Sequence, residues 1–314
     1  MKNITVVGAG LMGHAIASVF ALGGYQVTLH DVSEDALARA RKMISEVLRT
    51  LVQAGVVDPD VCTSTLRDRI ICTTSLATAS ARADLITEAV TEEAGIKRSL
   101  FSELDTCAPL STLWASNTSS LDIFDLLPAR RQAKTLIAHW YTPPYIVDLV
   151  DVVPGPETDP AAVAAVKELL EGLGKKPIVL SKFISGYIAN RLQAALNLEI
   201  MFLLDKGYAT PEQIDQAAKS GLALRMPLLG LLRKADYTGL EVIQQLLANK
   251  SYEPPQGLER SQTLDALVKM GRTGVIAGKG FFDYHGRSAE ALFRERDLKL
   301  LALRKFLAQL GDLN

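Results

Sequence analysis

The fold is decided by the stretch Ile4-Thr5-Val6-Val7-Gly8-Ala9-Gly10-Leu11-Met12-Gly13, where an apolar, β-branched run meets glycines spaced as GxGxxG. The first glycine permits a tight turn after a strand, the second lets the backbone approach a pyrophosphate, and the third lets a helix pack closely on the strand. A helix N-terminus also offers unpaired N–H groups to phosphates. The stretch therefore predicts a dinucleotide site with contacts from Gly8, Gly10, Leu11, Met12 and Gly13.

A second apolar run, Gln26-Val27-Thr28-Leu29-His30, ends directly before Asp31. A carboxylate at this distance from the glycines accepts the ribose hydroxyls of NAD and repels the 2′-phosphate of NADP. No arginine follows until Arg39. The alternative is that Asp31 caps the helix beginning near Ser33, a role that Ser33 can fill itself. The sequence predicts NAD as the cofactor and Asp31 as one of its ligands.

The first half of the chain alternates short β-branched runs with helical patterns, which is typical of a parallel sheet with crossover helices. Strands are predicted at 4–7, 26–30, 70–73, 85–89, 113–116, 136–139, 149–153 and 178–180, and helices at 11–22, 33–54, 92–105 and 160–173. Beyond residue 182 the pattern is helical, at 186–206, 211–220, 239–248 and 288–310, with a loop at 251–259. We expect an α/β Rossmann-type dinucleotide-binding domain (1–182) followed by an all-α C-terminal domain (183–314).

The composition argues against several classes of protein. The 314 residues carry 34 basic and 35 acidic side chains, and this balance predicts no nucleic-acid or membrane-surface partner. Three cysteines without CxxC spacing predict neither a disulfide framework nor a metal cluster, and they favour a cytoplasmic protein. The apolar stretch 183–204 is long enough to cross a bilayer, but it contains Asn190, Arg191 and Glu199. We interpret it as a buried helix.

Further motifs follow in order: Thr87-Glu88-Ala89-Val90-Thr91-Glu92, Ser116-Asn117-Thr118-Ser119-Ser120-Leu121, Ala138-His139-Trp140-Tyr141-Thr142-Pro143-Pro144, Asp148-Leu149-Val150-Asp151-Val152-Val153 and Gly186-Tyr187-Ile188-Ala189-Asn190-Arg191. With the glycine motif and the stretch 278–284, they make the chain resemble the 3-hydroxyacyl-CoA dehydrogenase superfamily over nearly its whole length. The stretches 143–145 and 221–230 look most like the lambda-crystallin, L-gulonate 3-dehydrogenase and carnitine dehydrogenase branch. The resemblance implies NAD-dependent oxidation of a secondary alcohol β to a carboxyl group.

The resemblance also implies a histidine and carboxylate pair with serine and asparagine helpers. Oxidation of an alcohol needs a base for the hydroxyl proton, and histidine titrates nearest neutral pH. His139 matches the family base, although it shares a strand face with Ile137 and could instead be a hydrogen-bonded core histidine. The remaining histidines lack a matching context; they are His14, His30 and His285.

The carboxylate partner departs from the family pattern. The family places a glutamate twelve residues after the histidine, where this chain has Asp151, one methylene shorter. Asp148 competes, but a separation of three along a strand directs the two side chains to opposite faces. The motif spacing selects Asp151, and a solvated carboxylate at the strand end is the alternative. Thr142 stands where the family usually has asparagine.

Ser119 matches the family serine that hydrogen-bonds the reacting oxygen, although Ser119-x-x-Asp122 also resembles a helix N-cap. Asn190 matches the amide that orients the substrate. It also shares a polar stripe with Gly186, Gln193 and Asn197, which could be a buried hydrogen-bonded seam.

Glu92 and Lys97 match family positions near the nicotinamide ribose, and an exposed charge pair at a helix start is their alternative. Asn117 is expected to contact the cofactor as well.

Residues 49–69 contain no lysine, which argues against a phosphate-rich CoA thioester. Arg225 is predicted to bind a free carboxylate, or alternatively to extend from an apolar helix. We expect a free 3-hydroxy acid to be slightly preferred over a 3-hydroxyacyl-CoA of fatty acid metabolism. The apolar stretch 194–204 and the family resemblance imply a homodimer. The alternative to an enzyme is a crystallin-like, NADH-binding structural protein.

Overall fold

A computed structural model describes residues 1–249, 253–255, 257 and 260–311, without the side chains of residues 63–67. The chain divides into two compact units, Met1–Tyr187 and Ile188–Asn314. The predicted domain boundary after residue 182 lies shortly before this division, and the predicted loop at 251–259 falls mostly outside the described residues. The expected architecture, an α/β unit followed by a helical one, is confirmed.

The first unit contains an eight-stranded sheet with the order β3-β2-β1-β4-β5-β6-β7-β8. The strands are β1 (Asn3–Val7), β2 (Gln26–His30), β3 (Ile70–Thr73), β4 (Leu85–Glu88), β5 (Leu113–Ser116), β6 (Thr135–Trp140), β7 (Leu149–Pro154) and β8 (Lys176–Val179). From β1 the chain adds β2 and β3 on one side of the sheet and then returns to add β4 on the other side of β1. In open sheets of this kind, ligands bind beside the carboxyl ends of the strands at such a point.

One strand pair corrects the expectation of a parallel sheet, because β6 and β7 run antiparallel. Only residues 141–148 join these two strands. A parallel return needs a crossover of roughly a dozen or more residues, usually through a helix, so this short connection turns β7 back beside β6. The resulting register places His139 directly opposite Asp151.

Helices cover both faces of the sheet. They are α1 (Gly13–Leu22), α2 (Glu34–Gln53), α3 (Pro59–Asp68), α4 (Leu76–Ser80), α5 (Ala94–Cys107) and α6 (Pro160–Gly172). Successive strand residues face opposite sides, so Val6 joins one buried apolar cluster with Ile16, and Val7 joins the other with Phe101. Nine of the ten residues of α1 are buried. The turn that precedes α1 is therefore joined to a helix that is packed on nearly every side.

The second unit is helical. It contains α7 (Ala189–Asp205), α8 (Pro211–Ala217), which continues into a π-helical segment at Ala218–Ala223, α9 (Met226–Leu229), α10 (Leu232–Thr238), α11 (Leu240–Ala248), α12 (Gln262–Lys269) and α13 (Ala289–Leu310). No residue of α7 is buried, and Leu192 and Leu196 are 46% and 41% exposed. The interpretation of this stretch as a buried helix is therefore wrong for the single chain. Among the described residues, no helix has the length and apolar character needed to span a membrane.

Candidate active site

The turn between β1 and α1 leaves one of its three glycines open. Gly8 has φ +101°, and a Cβ there would lie 2.5 Å from the carbonyl oxygen of Ala89. A Cβ on Gly13 would lie 1.7 Å from the carbonyl oxygen of Gly8, whereas one on Gly10 would meet no atom within 4 Å. Contacts within the protein thus explain why positions 8 and 13 have to be glycine. The open space at Gly10 fits a closely approaching pyrophosphate.

Two further residues predicted to contact the cofactor follow Gly10. Leu11 is 65% exposed and Met12 is half-buried, directly before the first residue of α1. The Thr142 hydroxyl lies 3.1 Å from the Met12 sulfur. The start of α1 is therefore in contact with the segment that follows His139, and both predicted sites lie at one edge of the sheet.

Asp31 follows β2 and braces the glycine turn. Its Oδ2 accepts a hydrogen bond from the Ala9 N–H at 2.9 Å, and its Oδ1 accepts one from the Ser33 N–H at 3.0 Å. Ser33 is the N-cap of α2, with its hydroxyl accepting from the Ala36 N–H. The alternative that Asp31 caps this helix through its own side chain is therefore not needed. The bracing bond to Ala9 carries no sequence signature and was not predicted.

His139 and Asp151 form a buried pair on neighbouring strands. His139 Nδ1 lies 3.5 Å from Asp151 Oδ2, and Nε2 lies 3.2 Å from the Ser119 hydroxyl. His139 is 4% exposed and Asp151 is not exposed at all, so the alternative of a solvated carboxylate at the strand end is wrong. Asp148 lies before β7 and pairs with Lys175 at 3.6 Å. The carboxylate that faces His139 is that of Asp151.

Two tyrosines enclose the imidazole ring. The ring centroid of His139 lies 4.6 Å from that of Tyr141 and 4.9 Å from that of Tyr187. Tyr141 donates a hydrogen bond of 2.6 Å to Asp151 Oδ2, and Tyr187 donates one of 2.6 Å to the carbonyl oxygen of Thr118. Sequence reasoning missed both tyrosines, although each lies in a motif that had been singled out.

The Ser119 loop is held by one carboxylate oxygen of Glu92. Oε1 accepts hydrogen bonds from the Thr118 hydroxyl at 2.8 Å and from the N–H groups of Ser119 and Ser120 at 2.7 and 2.8 Å. No helix begins at Ser119, since the next helical turn is a 3-10 segment at Phe124–Leu126, so the alternative of an N-cap is wrong. Burial raises the pKa of Glu92, but hydrogen bonds from Ser120 and Thr118 and the charge of Lys97 outweigh it and lower the pKa to about 2.

Lys97 lies beneath this loop. It is 1% exposed, and its ammonium lies 2.6 Å from Glu88 Oε1 and 3.3 Å from Glu92 Oε2. The alternative of an exposed charge pair at a helix start is therefore wrong for Lys97, which lies in the interior between the buried Glu88 and Glu92, whose side chain is 34% exposed. Asn117 is half-buried, and its Oδ1 accepts a hydrogen bond from the Trp140 N–H at 2.8 Å. This bond ties the ends of β5 and β6 together.

The remaining predicted residues belong to the second unit. Asn190 is half-buried in the first turn of α7, and Gln193 donates to Asn197 at 2.9 Å on the same helix. Gly186 belongs to the first unit and precedes the helix with φ +79°, so it is not part of the predicted polar stripe. Arg225 is exposed, and its Nε donates to the carbonyl oxygen of Gly221 at 3.1 Å. No group of three or more His, Cys, Asp or Glu in the described part of the chain is placed to hold a metal ion.

The arrangement is suited to proton transfer. A carboxylate beside Nδ1 favours the tautomer of His139 with its proton on that nitrogen, and in that tautomer the Nε2 lone pair is directed at Ser119. A hydroxyl group hydrogen-bonded to Ser119 and His139 could lose its proton to Nε2. Both groups are in the same unit as the glycine turn.

Comparison with known proteins agrees with this geometry. Residues 3–183 match the model of the NAD binding domain of 3-hydroxyacyl-CoA dehydrogenase, and residues 186–284 match that of its C-terminal domain. A 5-formyl-3-hydroxy-2-methylpyridine 4-carboxylate 5-dehydrogenase from Mesorhizobium japonicum is 30% identical, covering 98% of both chains. The solved structure of an enzyme of that description, an NAD+ dependent dismutase, has a TM-score of 0.86 at 28% identity, covering 98% of this chain and 99% of the other.

Two other relatives are also dehydrogenases by name. The mitochondrial hydroxyacyl-coenzyme A dehydrogenase of Rattus norvegicus is 33% identical, covering 90% of this chain and 91% of its own. An L-carnitine dehydrogenase from Streptomyces griseus is 33% identical, covering 73% and 68%. None of these comparisons supports the crystallin-like, non-enzymatic alternative. The chain belongs to the 3-hydroxyacyl-CoA dehydrogenase family and is an NAD-dependent oxidoreductase that acts on CH–OH groups.

Proposed function

We propose that the protein oxidises a free 3-hydroxy acid, with His139 as the base. The observation that carries this proposal is the chain of contacts from the Ser119 hydroxyl through His139 to the buried Asp151. NAD, when bound, supplies the acceptor for the hydride that leaves the alcohol carbon. The residues of the chain have to bind the hydroxyl group, take its proton and stabilise the charge that results.

Each residue has a distinct part in this proposal. Ser119 accepts or donates a hydrogen bond at the reacting oxygen, and His139 Nε2 takes the hydroxyl proton. Asp151 holds the imidazole and stabilises the imidazolium that forms, as in other acid–base pairs. Asn190 orients the substrate, and Arg225 binds its carboxylate through a bidentate pair.

The cofactor is held by the glycine turn and the acidic residue that braces it. Gly10, Leu11 and Met12 bind the pyrophosphate on the turn that Gly8 and Gly13 shape, and Asp31 binds the adenosine ribose. Asn117 and the Glu92–Lys97 pair support the nicotinamide end. Lys97 acts there through Glu92, because its ammonium is already shared between two carboxylates.

A free acid is favoured over a CoA thioester by two observations. Residues 49–69 contain no lysine, and their three arginines are balanced by three aspartates, so the stretch has no net positive charge for the phosphates of CoA. The relative that matches 98% of both chains is named for a small pyridine carboxylate, and L-carnitine also carries a free carboxylate. The hydroxyacyl-CoA relative matches a smaller share of each chain.

Parallel assays of NAD reduction test the substrate class. We expect turnover of at least one of 3-hydroxybutyrate, L-gulonate and carnitine at a kcat/KM no lower than that for 3-hydroxybutyryl-CoA. Turnover of the thioester alone would reject the free acid while leaving the base and cofactor assignments intact.

We also propose that the protein is a cytoplasmic homodimer. The apolar residues of α7 that are exposed in one chain, Leu192 and Leu196 among them, would be covered by a second copy. All three cysteines are free thiols, which suits a reducing compartment. Sedimentation at micromolar concentration should give twice the 34.0 kDa chain mass, and a monomeric mass would contradict the dimer.

A further inference from the structure

The carboxylate of Asp151 is held by a tyrosine more closely than by the histidine. Asp151 is not exposed, and the Tyr141 hydroxyl donates to its Oδ2 at 2.6 Å. His139 Nδ1 lies 3.5 Å from the same oxygen, which exceeds the usual length of an N–H···O bond. Among the described residues, the other oxygen, Oδ1, has no hydrogen-bond partner. The direction of this carboxylate is therefore set by Tyr141.

We propose that Tyr141 is a positioning residue for the oxidation proposed above, and that it forms a matched pair with Asp151. Its hydroxyl directs the carboxylate toward His139 and occupies space that a longer carboxylate side chain would need. The hydroxyl also stabilises the negative charge of Asp151, because a hydrogen bond to a buried anion is among the stronger interactions in a protein interior.

The expected effect of removing the hydroxyl has a definite sign. Without Tyr141 as a donor, the buried carboxylate loses its shortest hydrogen bond, and a proton on itself or on His139 then stabilises it more than before. The His139–Asp151 pair then takes up its proton at a higher pH. One hydrogen bond to a charged group corresponds to a shift of about one pH unit, or roughly tenfold in proton affinity.

Other ionisable groups around the pair do not mask this shift. Burial raises the pKa of Tyr187, and Glu92, Asp151, Tyr141 and Asp122 raise it further. The substitution removes only the contribution of Tyr141, so Tyr187 remains a neutral donor to Thr118. Glu92, with its pKa lowered to about 2, stays charged throughout the neutral range. Asp122 accepts from the Phe124 N–H and is not changed by the substitution.

The first test needs no substrate. The chain has four histidines, so nitrogen NMR of protein labelled at histidine resolves each ring during a pH titration. His139 is assigned by the signal lost in His139→Gln. In Tyr141→Phe we expect its titration midpoint to rise by about one pH unit, with the signals of His14, His30 and His285 unchanged.

The matched control is Tyr25→Phe, which removes a hydroxyl from a tyrosine packed on Phe20. It should leave the His139 midpoint where it was. A Tyr141→Phe midpoint that stays or falls would overturn the proposal.

The second test is rescue by the longer carboxylate. Tyr141→Phe and Asp151→Glu should each lower kcat/KM by about tenfold. The first removes the hydroxyl that directs the carboxylate, and the second makes the carboxylate side chain too long for the space beside that hydroxyl. The double variant, in which glutamate reaches toward His139 through the vacated space, should recover most of that loss, while NADH affinity stays constant in all three. A double variant no better than Tyr141→Phe alone would overturn the matched pair. Absence of any hydroxy-acid turnover by the unmodified protein, with the NMR shift present, would reject the proposed function and leave the positioning role standing.

Discussion

Replacing Glu92 with glutamine should loosen the Ser119 loop in a way that depends on pH. The carboxylate oxygen Oε1 collects hydrogen bonds from Thr118, Ser119 and Ser120, and the pKa of Glu92 is lowered from 4.5 to about 2. A shift of that size corresponds to roughly 3 kcal/mol at full burial. About a third of the side chain is exposed (34%), so solvent screening reduces the expected loss to about 1–2 kcal/mol.

The pH dependence follows from the direction of the shift. Because the folded-state pKa is depressed, the stabilisation is complete above about pH 4.5 and is lost as the pH falls toward 2. Glu92→Gln should therefore unfold at lower denaturant concentration than the parent at pH 7, and the difference between the two should shrink below about pH 4.5 and become small only near pH 2. Turnover should fall by about tenfold, since Ser119 is no longer held against His139.

Glu93→Gln is the matched control for this prediction. The neighbouring carboxylate caps α5 by accepting from the N–H groups of Gly95 and Ile96, and it makes no described bond to the Ser119 loop. We expect it to lose up to about 1 kcal/mol of stability with unchanged turnover. Equal turnover losses in the two variants, or a Glu92→Gln deficit that persists undiminished at pH 3, would refute the reasoning.

Further outcomes test the remaining assignments. Asp31→Ser should narrow the preference for NAD over NADP by removing the carboxylate that repels a 2′-phosphate, and equal affinities in the unmodified protein would contradict this role. Asp151→Asn should reduce turnover because an amide cannot stabilise imidazolium charge, whereas Asp148→Asn, at a carboxylate that pairs with Lys175, should stay within about twofold; the reverse result would reassign the carboxylate. Arg225→Met should raise KM for the hydroxy acid and leave that for NAD unchanged, and an unchanged hydroxy-acid KM would leave Arg225 without a substrate role.

Features that depend on local backbone geometry could be predicted from the sequence. The glycine turn follows from the steric demands at Gly8 and Gly13, both of which the structure explains by contacts within a few residues of β1 and β4. The alternation of side chains along a strand allowed only one of Asp148 and Asp151 to face His139, and the motif spacing of the family it resembles selected Asp151, which the structure places opposite the histidine.

Features that depend on packing between distant segments were not predictable. The short gap between the predicted strands 136–139 and 149–153 indicates an antiparallel return of β7, which the expectation of a parallel sheet overlooked. The bond from Tyr141 to Asp151 depends in addition on the path of that connection, which the sequence does not specify. Helix α5 begins at Ala94 with Glu93 as its N-cap, so Glu92 lies outside the helix. Its carboxylate can therefore bind the Ser119 loop, which follows β5. For α7, a Leu- and Ala-rich helix has the same pattern whether its own chain or another copy covers it.

The central claim is that His139 is the base in an NAD-dependent alcohol oxidation. The most direct measurement compares NADH formation by the unmodified protein and by His139→Gln on the best hydroxy acid, with NADH affinity determined for both. We predict that His139→Gln binds NADH nearly as tightly as the parent and turns over about 100- to 10,000-fold more slowly. Turnover within about threefold of the parent, with equal NADH affinity, would contradict the claim.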